Sequence, residues 1–154
     1  MFKKILVPLD GSSLAEAILP QVTELAKTLD AELVVLRVAF AHVFPGADPT
    51  EEEVQVIRKA EEYVAGIAGK LADEGVSVKT AVRYGRPASE ILGHIVDNKL
   101  DLVAMSTHGR TGLTHLVLGS VAEQVLRASP VPVLLFPARV LREIPAEAQA
   151  GPTA

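Results

Sequence analysis

Between Ser106 and Ser120 the chain reads S-T-H-G-R-T-G-L-T-H-L-V-L-G-S, with Gly109, Gly112 and Gly119 inside it and an amphipathic run, Val121 to Arg127, after it. This composition suits an anion. Glycine has no Cβ, so the main chain can approach a ligand closely. The first N–H groups of a helix, at the positive end of its dipole, favour negative charge. The expected chemistry is a cradle for the phosphates of a nucleotide, with Arg110 as a further cation. The same residues have a second reading without any ligand. Ser120 and Glu123 stand at capping-box spacing, and glycine-rich connections are ordinary turn chemistry. The sequence contains no G-x-x-x-x-G-K-[ST], and no G-x-G-x-x-G follows its first apolar run, so two better-known phosphate motifs are excluded. His108 and His115 suggest no third ligand, which argues against a metal site.

Such a loop needs a scaffold, and the apolar pattern supplies one. Ile5 to Leu9, Leu33 to Val38 and Leu102 to Met105 are short continuous apolar runs, the pattern of strands buried on both faces. Pro8 cannot donate to a ladder, so it belongs at a strand end. Val76, Val78, Thr80 and Val82 alternate with polar or small residues, which predicts an edge strand, and Val131 to Phe136 predicts a last strand whose Pro132 also marks an edge. Between these runs lie helical patterns. One extends from about Ser13 to Leu29, with a capping box at Ser13 and Glu16 and a bend at Pro20. The next starts at a Thr50 to Glu53 box, shows Val54, Ile57, Ala60, Val64, Ile67 and Leu71 on one face, and stops near Gly75. A third follows Gly85-Arg86-Pro87 with Ala88, Ile91, Leu92, Ile95 and Val96 toward the sheet. Ala39 to Thr50 has no period and reads as a long loop able to cover a site.

Strand and helix alternate throughout, so the fold class is α/β: a doubly wound, open five-stranded parallel sheet of order 3-2-1-4-5 with helices on both faces. Ligands in such sheets bind beyond the carboxyl ends of the strands where the order reverses. That point lies between the first and fourth strands, beside Asp10, Gly11 and the Ser106 to Gly112 segment. Asp10 also has a purely local role open to it, closing the first strand as an Asx turn.

The chain has 154 residues, enough for one domain, and 49% of them are hydrophobic, enough for a sizeable core. The expected division is a domain over 1–140 and a loose tail over 141–154. A formal net charge of −4 and a pI near 5.6, with the basic residues scattered, argue against nucleic acid as a partner. The absence of cysteine excludes disulfides and thiol chemistry and fits a reducing compartment. No apolar run has the length of a membrane span and Met1-Phe2-Lys3-Lys4 leads straight into a strand, so no membrane role and a cytoplasmic location are expected.

These residues carry a resemblance. The K-K-I-L-V-P-L-D-G-S opening (Lys3 to Ser12), the long second helix and H-G-R-T-G-L…L-G-S (His108 to Ser120) resemble the universal stress protein family, over essentially Phe2 to Phe136. Its nucleotide-binding branch carries G-x-x-G, nine residues, then G-[ST]; Gly109, the nine residues Arg110 to Leu118, Gly119 and Ser120 match, whereas the first glycine falls on Ser106. The resemblance implies an adenine-nucleotide alpha-hydrolase-like fold and a bound ATP or AMP accompanied by Mg²⁺. It implies that Asp10 contacts the adenosine end, that Val38 and Met105 line the base pocket, and that Gly109, Gly119 and Ser120 hold phosphates. Pro8, Ser106, His108, Arg110, Gly112 and Val121 complete the expected nucleotide-binding set. No catalytic residue is assigned, since Asp10 is the only acidic residue placed near the site. The expected function is a nucleotide-sensing, dimeric signalling or protective module of the stress response, pairing through Val131 to Phe136 and serving a protein partner the sequence does not identify. Two alternatives remain: a slow ATPase or self-phosphorylating protein, and a dimeric scaffold in which Ser106 blocks the site.

Overall fold

The computed structural model describes residues 1–107 and 118–137. Five parallel strands form one sheet: β1 (Lys4–Pro8), β2 (Glu32–Ala39), β3 (Val78–Tyr84), β4 (Leu102–Thr107) and β5 (Val133–Pro137). Their order is β3-β2-β1-β4-β5, as the alternation of the sequence predicts. The helices are α1 (Ser13–Glu16), α2 (Leu19–Leu29), α3 (Pro49–Asp73), α4 (Pro87–Asp97) and α5 (Ser120–Ala128).

The period of two in the central strands sorts their side chains between two cores. Ile5, Val7, Leu33, Val35 and Ala104 pack with Ile18, Val22, Val64, Ile67 and Leu71 on the face covered by α2 and α3. Leu6, Val34, Leu36, Val103 and Met105 pack with Ile91, Ile95, Ala122 and Val125 on the face covered by α4 and α5. A strand apolar at every position is therefore one that serves two faces. β1 lies at the centre and ends at Pro8, opposite Leu36, where the missing N–H costs the ladder nothing further.

The helix starts depart from the expected ones. The single helix from Ser13 to Leu29 is two, because Pro20 has no N–H for the carbonyl of Glu16 and its ring crowds that carbonyl; α1 stops at Glu16 and α2 restarts at Leu19. Its cap is Ser12 rather than Ser13: Ser12 Oγ accepts from the Ala15 N–H at 3.1 Å. Asp48, not Thr50, caps α3, accepting from the Thr50 N–H at 2.9 Å with Pro49 in the first turn. At α5 the Ser120–Glu123 box does not form. Gly119 is the N-cap, no side chain among the described residues caps the helix, and Glu123 instead accepts from Arg127 at 2.7 Å. In each case a neighbouring residue with the better backbone or side chain for the cap takes the position. Val54 and Val96, expected on buried faces, are exposed.

The buried position on α4 that Val96 leaves belongs to His94. Asn98 Nδ2 donates to the His94 carbonyl at 3.1 Å and lies 3.1 Å from His94 Nδ1, so one amide serves the backbone and the ring together. Burial, then the nearby Arg83 charge, holds the His94 pKa below its ordinary 6.5. The unfolded chain consequently binds that proton more tightly. Stability from this residue is complete above pH 6.5 and is lost as the pH falls through the depressed folded-state value. Denaturant midpoints should therefore decline more steeply below about pH 6.5 for the wild type than for His94→Gln.

Thr23 offers a second stability test. It is 1% exposed on α2, and its hydroxyl has no hydrogen-bond partner among the described residues. Thr23→Val removes that uncompensated group at constant shape, so the urea midpoint should rise by the equivalent of about 1 kcal/mol with an unchanged slope.

Candidate functional site

β1 leads back toward β2 and β4 leads toward β5, so the chain leaves the sheet in opposite directions on either side of the β1–β4 pair. Divergence of the connections opens a cavity of about 140 Å³ at the carboxyl ends of these strands. Pro8, Leu9, Asp10 and Ser12 come to it from the end of β1 and the following turn, and Leu36, Arg37 and Val38 from β2. Met105 and Ser106 come from β4, Pro87 and Ile91 from α4, and Val121 and Ala122 from the first turn of α5. Val38, Ile91, Met105 and Ala122 are buried, so most of the wall is apolar. Its polar groups are Asp10, Ser12, Arg37 and Ser106, a small set against an apolar ground, as small-molecule sites generally show.

Asp10 is held by its neighbours. Its Oδ1 accepts from both the amide and the hydroxyl of Ser12, at 2.9 and 2.5 Å, and Ser12 in turn caps α1. The Asx turn and the placement of a carboxylate on the cavity are thus the same structure. Gly11, in the left-handed region at φ +84°, completes that turn.

At the opposite wall α5 begins with N–H groups that the helix itself cannot satisfy; its first rung is Glu123 N–H to Gly119 carbonyl at 2.9 Å. With no side-chain cap among the described residues, this end can accept an anion by the chemistry the sequence suggested. Ser106 lies inside β4, opposite Phe136. Among the described residues only Asp30 and Lys99 are non-glycine positions with positive φ, so the backbone at Ser106 requires no glycine. Its departure from the motif is reduced to a Cβ and a hydroxyl at the cavity wall.

Of the residues singled out in the sequence, the fold brings Pro8, Asp10, Val38, Met105, Ser106 and Val121 to one cavity. Gly119 and Ser120 are not on its wall but adjoin Val121 at the α5 N-terminus. His108, Gly109, Arg110 and Gly112 lie outside the described residues. Sequence reading missed Arg37, Ser12, Pro87, Ile91 and Ala122. Arg37 had a signal, being the lone charge interrupting the apolar run of β2. Pro87 and Ile91 had none, because only the crossing of α4 over β2 brings them there.

The model of the universal stress protein family matches residues 1–137. The chain belongs to that family. Universal stress protein MJ0531 of Methanocaldococcus jannaschii is 36% identical over 139 residues, covering 88% of this chain and 82% of the relative. The solved structure of MJ0577, from the same organism, superposes with a TM-score of 0.74 at 32% identity, covering 89% of this chain and 96% of that one. A universal stress protein family structure from Arabidopsis thaliana with AMP bound has a TM-score of 0.61 over 96% of this chain and 98% of its own; at 16% identity that is a likeness of fold. Among the described residues no helix is long and apolar enough to cross a membrane.

Proposed function

We propose that this universal stress protein binds an adenine nucleotide, ATP or AMP, in the cavity between β1 and β4 and acts in the cytoplasm as a nucleotide-sensing dimer in signalling or protection. One observation carries the reading. An apolar slot, a fixed carboxylate and a helix N-terminus with no side-chain cap among the described residues converge at the reversal of strand order. The base enters between Val38 and Met105. Asp10 accepts from the ribose hydroxyls, and the N–H groups of Ser120 and Val121, together with the Ser120 hydroxyl, donate to phosphate. Gly109, Gly112, His108 and Arg110 complete the cradle on the strength of the sequence motif. Mg²⁺ accompanies a triphosphate through phosphate and water oxygens, and so asks little of the protein.

Binding is favoured over efficient turnover. Phosphoryl transfer needs a group to activate or orient the nucleophile and charge at the γ-phosphate. Asp10 is the only carboxylate on the described cavity wall, and its Oδ1 already serves Ser12.

Isothermal titration of the purified protein with ATP and with AMP in magnesium tests the reading, after heat release and chromatography to detect any nucleotide carried through purification. Saturable binding near one nucleotide per chain is the expected result. A folded protein that binds neither nucleotide sinks the proposal and leaves a scaffold. Magnesium-dependent ADP release that persists over many turnovers would replace the sensor with an ATPase.

A further inference from the structure

A second cavity, of about 240 Å³, lies on the other side of the β1–α1 turn, between that turn, the end of β2 and α3. It is several times the size a single water needs. Gly11, Arg37, Ala39, Phe40, Val56, Lys59, Ala60 and Tyr63 line it, so two cations and two aromatic rings face one space. Among the described residues neither Arg37 nor Lys59 has a carboxylate within ion-pair distance, although five such pairs form elsewhere. The guanidinium of Arg37 lies over the Gly11 backbone, with Nη2 3.8 Å from where a Cβ would stand. The Tyr63 hydroxyl is buried on the side of Glu16, whose carboxylate it faces. Burial, then the charge of Glu16, pushes its pKa up to about 12, so it remains a protonated donor at physiological pH. Phe40 is 50% exposed, its ring edge-on to His42 with centroids 4.9 Å apart.

We propose that this cavity is a second ligand site, distinct from the nucleotide cavity, which takes a small organic oxyanion carried on an aromatic body. Arg37 and Lys59 neutralise the oxyanion by charge-assisted hydrogen bonds. Phe40 supplies the face or edge for the aromatic body. Tyr63 adds a second aromatic side chain to the wall. Arg37 also lines the first cavity, so the two sites share one side chain.

Lys59 and Phe40 line the second cavity alone, which separates this proposal from the nucleotide reading. The test is a titration of the full-length protein with benzoate, and separately with inorganic phosphate, followed by the amide resonances of Gly11 and Ala60. Benzoate should shift both along one saturable curve and bind more tightly than phosphate. Lys59→Gln should weaken benzoate by about tenfold, the loss of one charge-assisted hydrogen bond. Phe40→Ser should weaken benzoate and leave phosphate unchanged, and neither variant should alter ATP titrations. No saturable shift at Gly11 and Ala60, or benzoate binding unmoved by both substitutions, overturns the proposal.

Discussion

Ser106→Phe should remove nucleotide binding from a protein that remains folded. Ser106 is half-buried on the cavity wall at the penultimate position of β4, where the strand has finished its pairing with β1 and retains only β5 as a neighbour. Ser106 lines the cavity, so a phenyl ring adds bulk at the wall of the volume assigned to the nucleotide, and its β-propensity suits the strand. Titration should show affinity reduced at least about a hundredfold, the equivalent of about 2.8 kcal/mol. Far-UV circular dichroism should be unchanged. Ser106→Gly provides the opposite arm. The backbone at this position has no need of glycine, so the substitution only clears space, and nucleotide should bind at least as tightly as to the wild type. If the phenylalanine variant bound ATP like the wild type, the nucleotide would have to sit elsewhere. If only the glycine variant bound it, the serine would be what closes this site, and the scaffold reading would stand.

How far the sequence alone reaches depends on the range of the interaction concerned. β1, β2 and β4 are apolar at nearly every position because two helical layers cover them, and that burial is written directly in Ile5 to Leu9, Leu33 to Val38 and Leu102 to Met105. The strand order follows from the same runs together with the edge character of β3. The caps were harder. Ser12, Asp48 and Gly119 each lie one or two residues before the serine or threonine of an apparent capping box, and competition among adjacent capping residues is settled by backbone geometry that spacing does not encode. The site divides in the same way. Asp10 follows β1 and Ser106 is near the end of β4, neighbouring strands whose carboxyl ends meet, so topology alone places them on one cavity. Ile91 arrives from a helix about fifteen residues from any motif residue, and nothing in its own neighbourhood marks it. His94 carried a similar ambiguity. A histidine beside an isoleucine in an amphipathic run reads as polar, yet Asn98 satisfies its ring and the backbone together and lets it take the buried position intended for Val96.

Leu134→Lys should convert the protein from dimer to monomer. β5 pairs with β4 on one side and with no other strand among the described residues on its other side, so its outer row of N–H and C=O groups can pair with a second chain. Its two faces are not equivalent. Val133 and Leu135 pack toward α4 and α5, whereas Leu134 shares the opposite face with Phe136 and is 38% exposed. A leucine that points from an unpaired edge strand into solvent invites pairing, and natural edges are protected from it by charges such as lysine. We propose that two copies associate along β5, with Leu134 buried between them and Pro132 and Pro137 limiting the paired length. Lysine at this position would bury an unpaired charge in the interface, which costs several kcal/mol, and should raise the dimer dissociation constant at least about a hundredfold. Light scattering on eluting protein distinguishes the outcomes: a dimeric wild type and a monomeric, folded variant are expected. A wild type that is monomeric at working concentrations, or a Leu134→Lys protein that remains dimeric, refutes pairing through this strand. Nucleotide titration of the monomeric variant then separates the two properties. Among the described residues the cavity is lined from β1, the turn after it, α1, β2, β4, α4 and α5, with no residue from β5, so a monomer should retain its affinity for ATP.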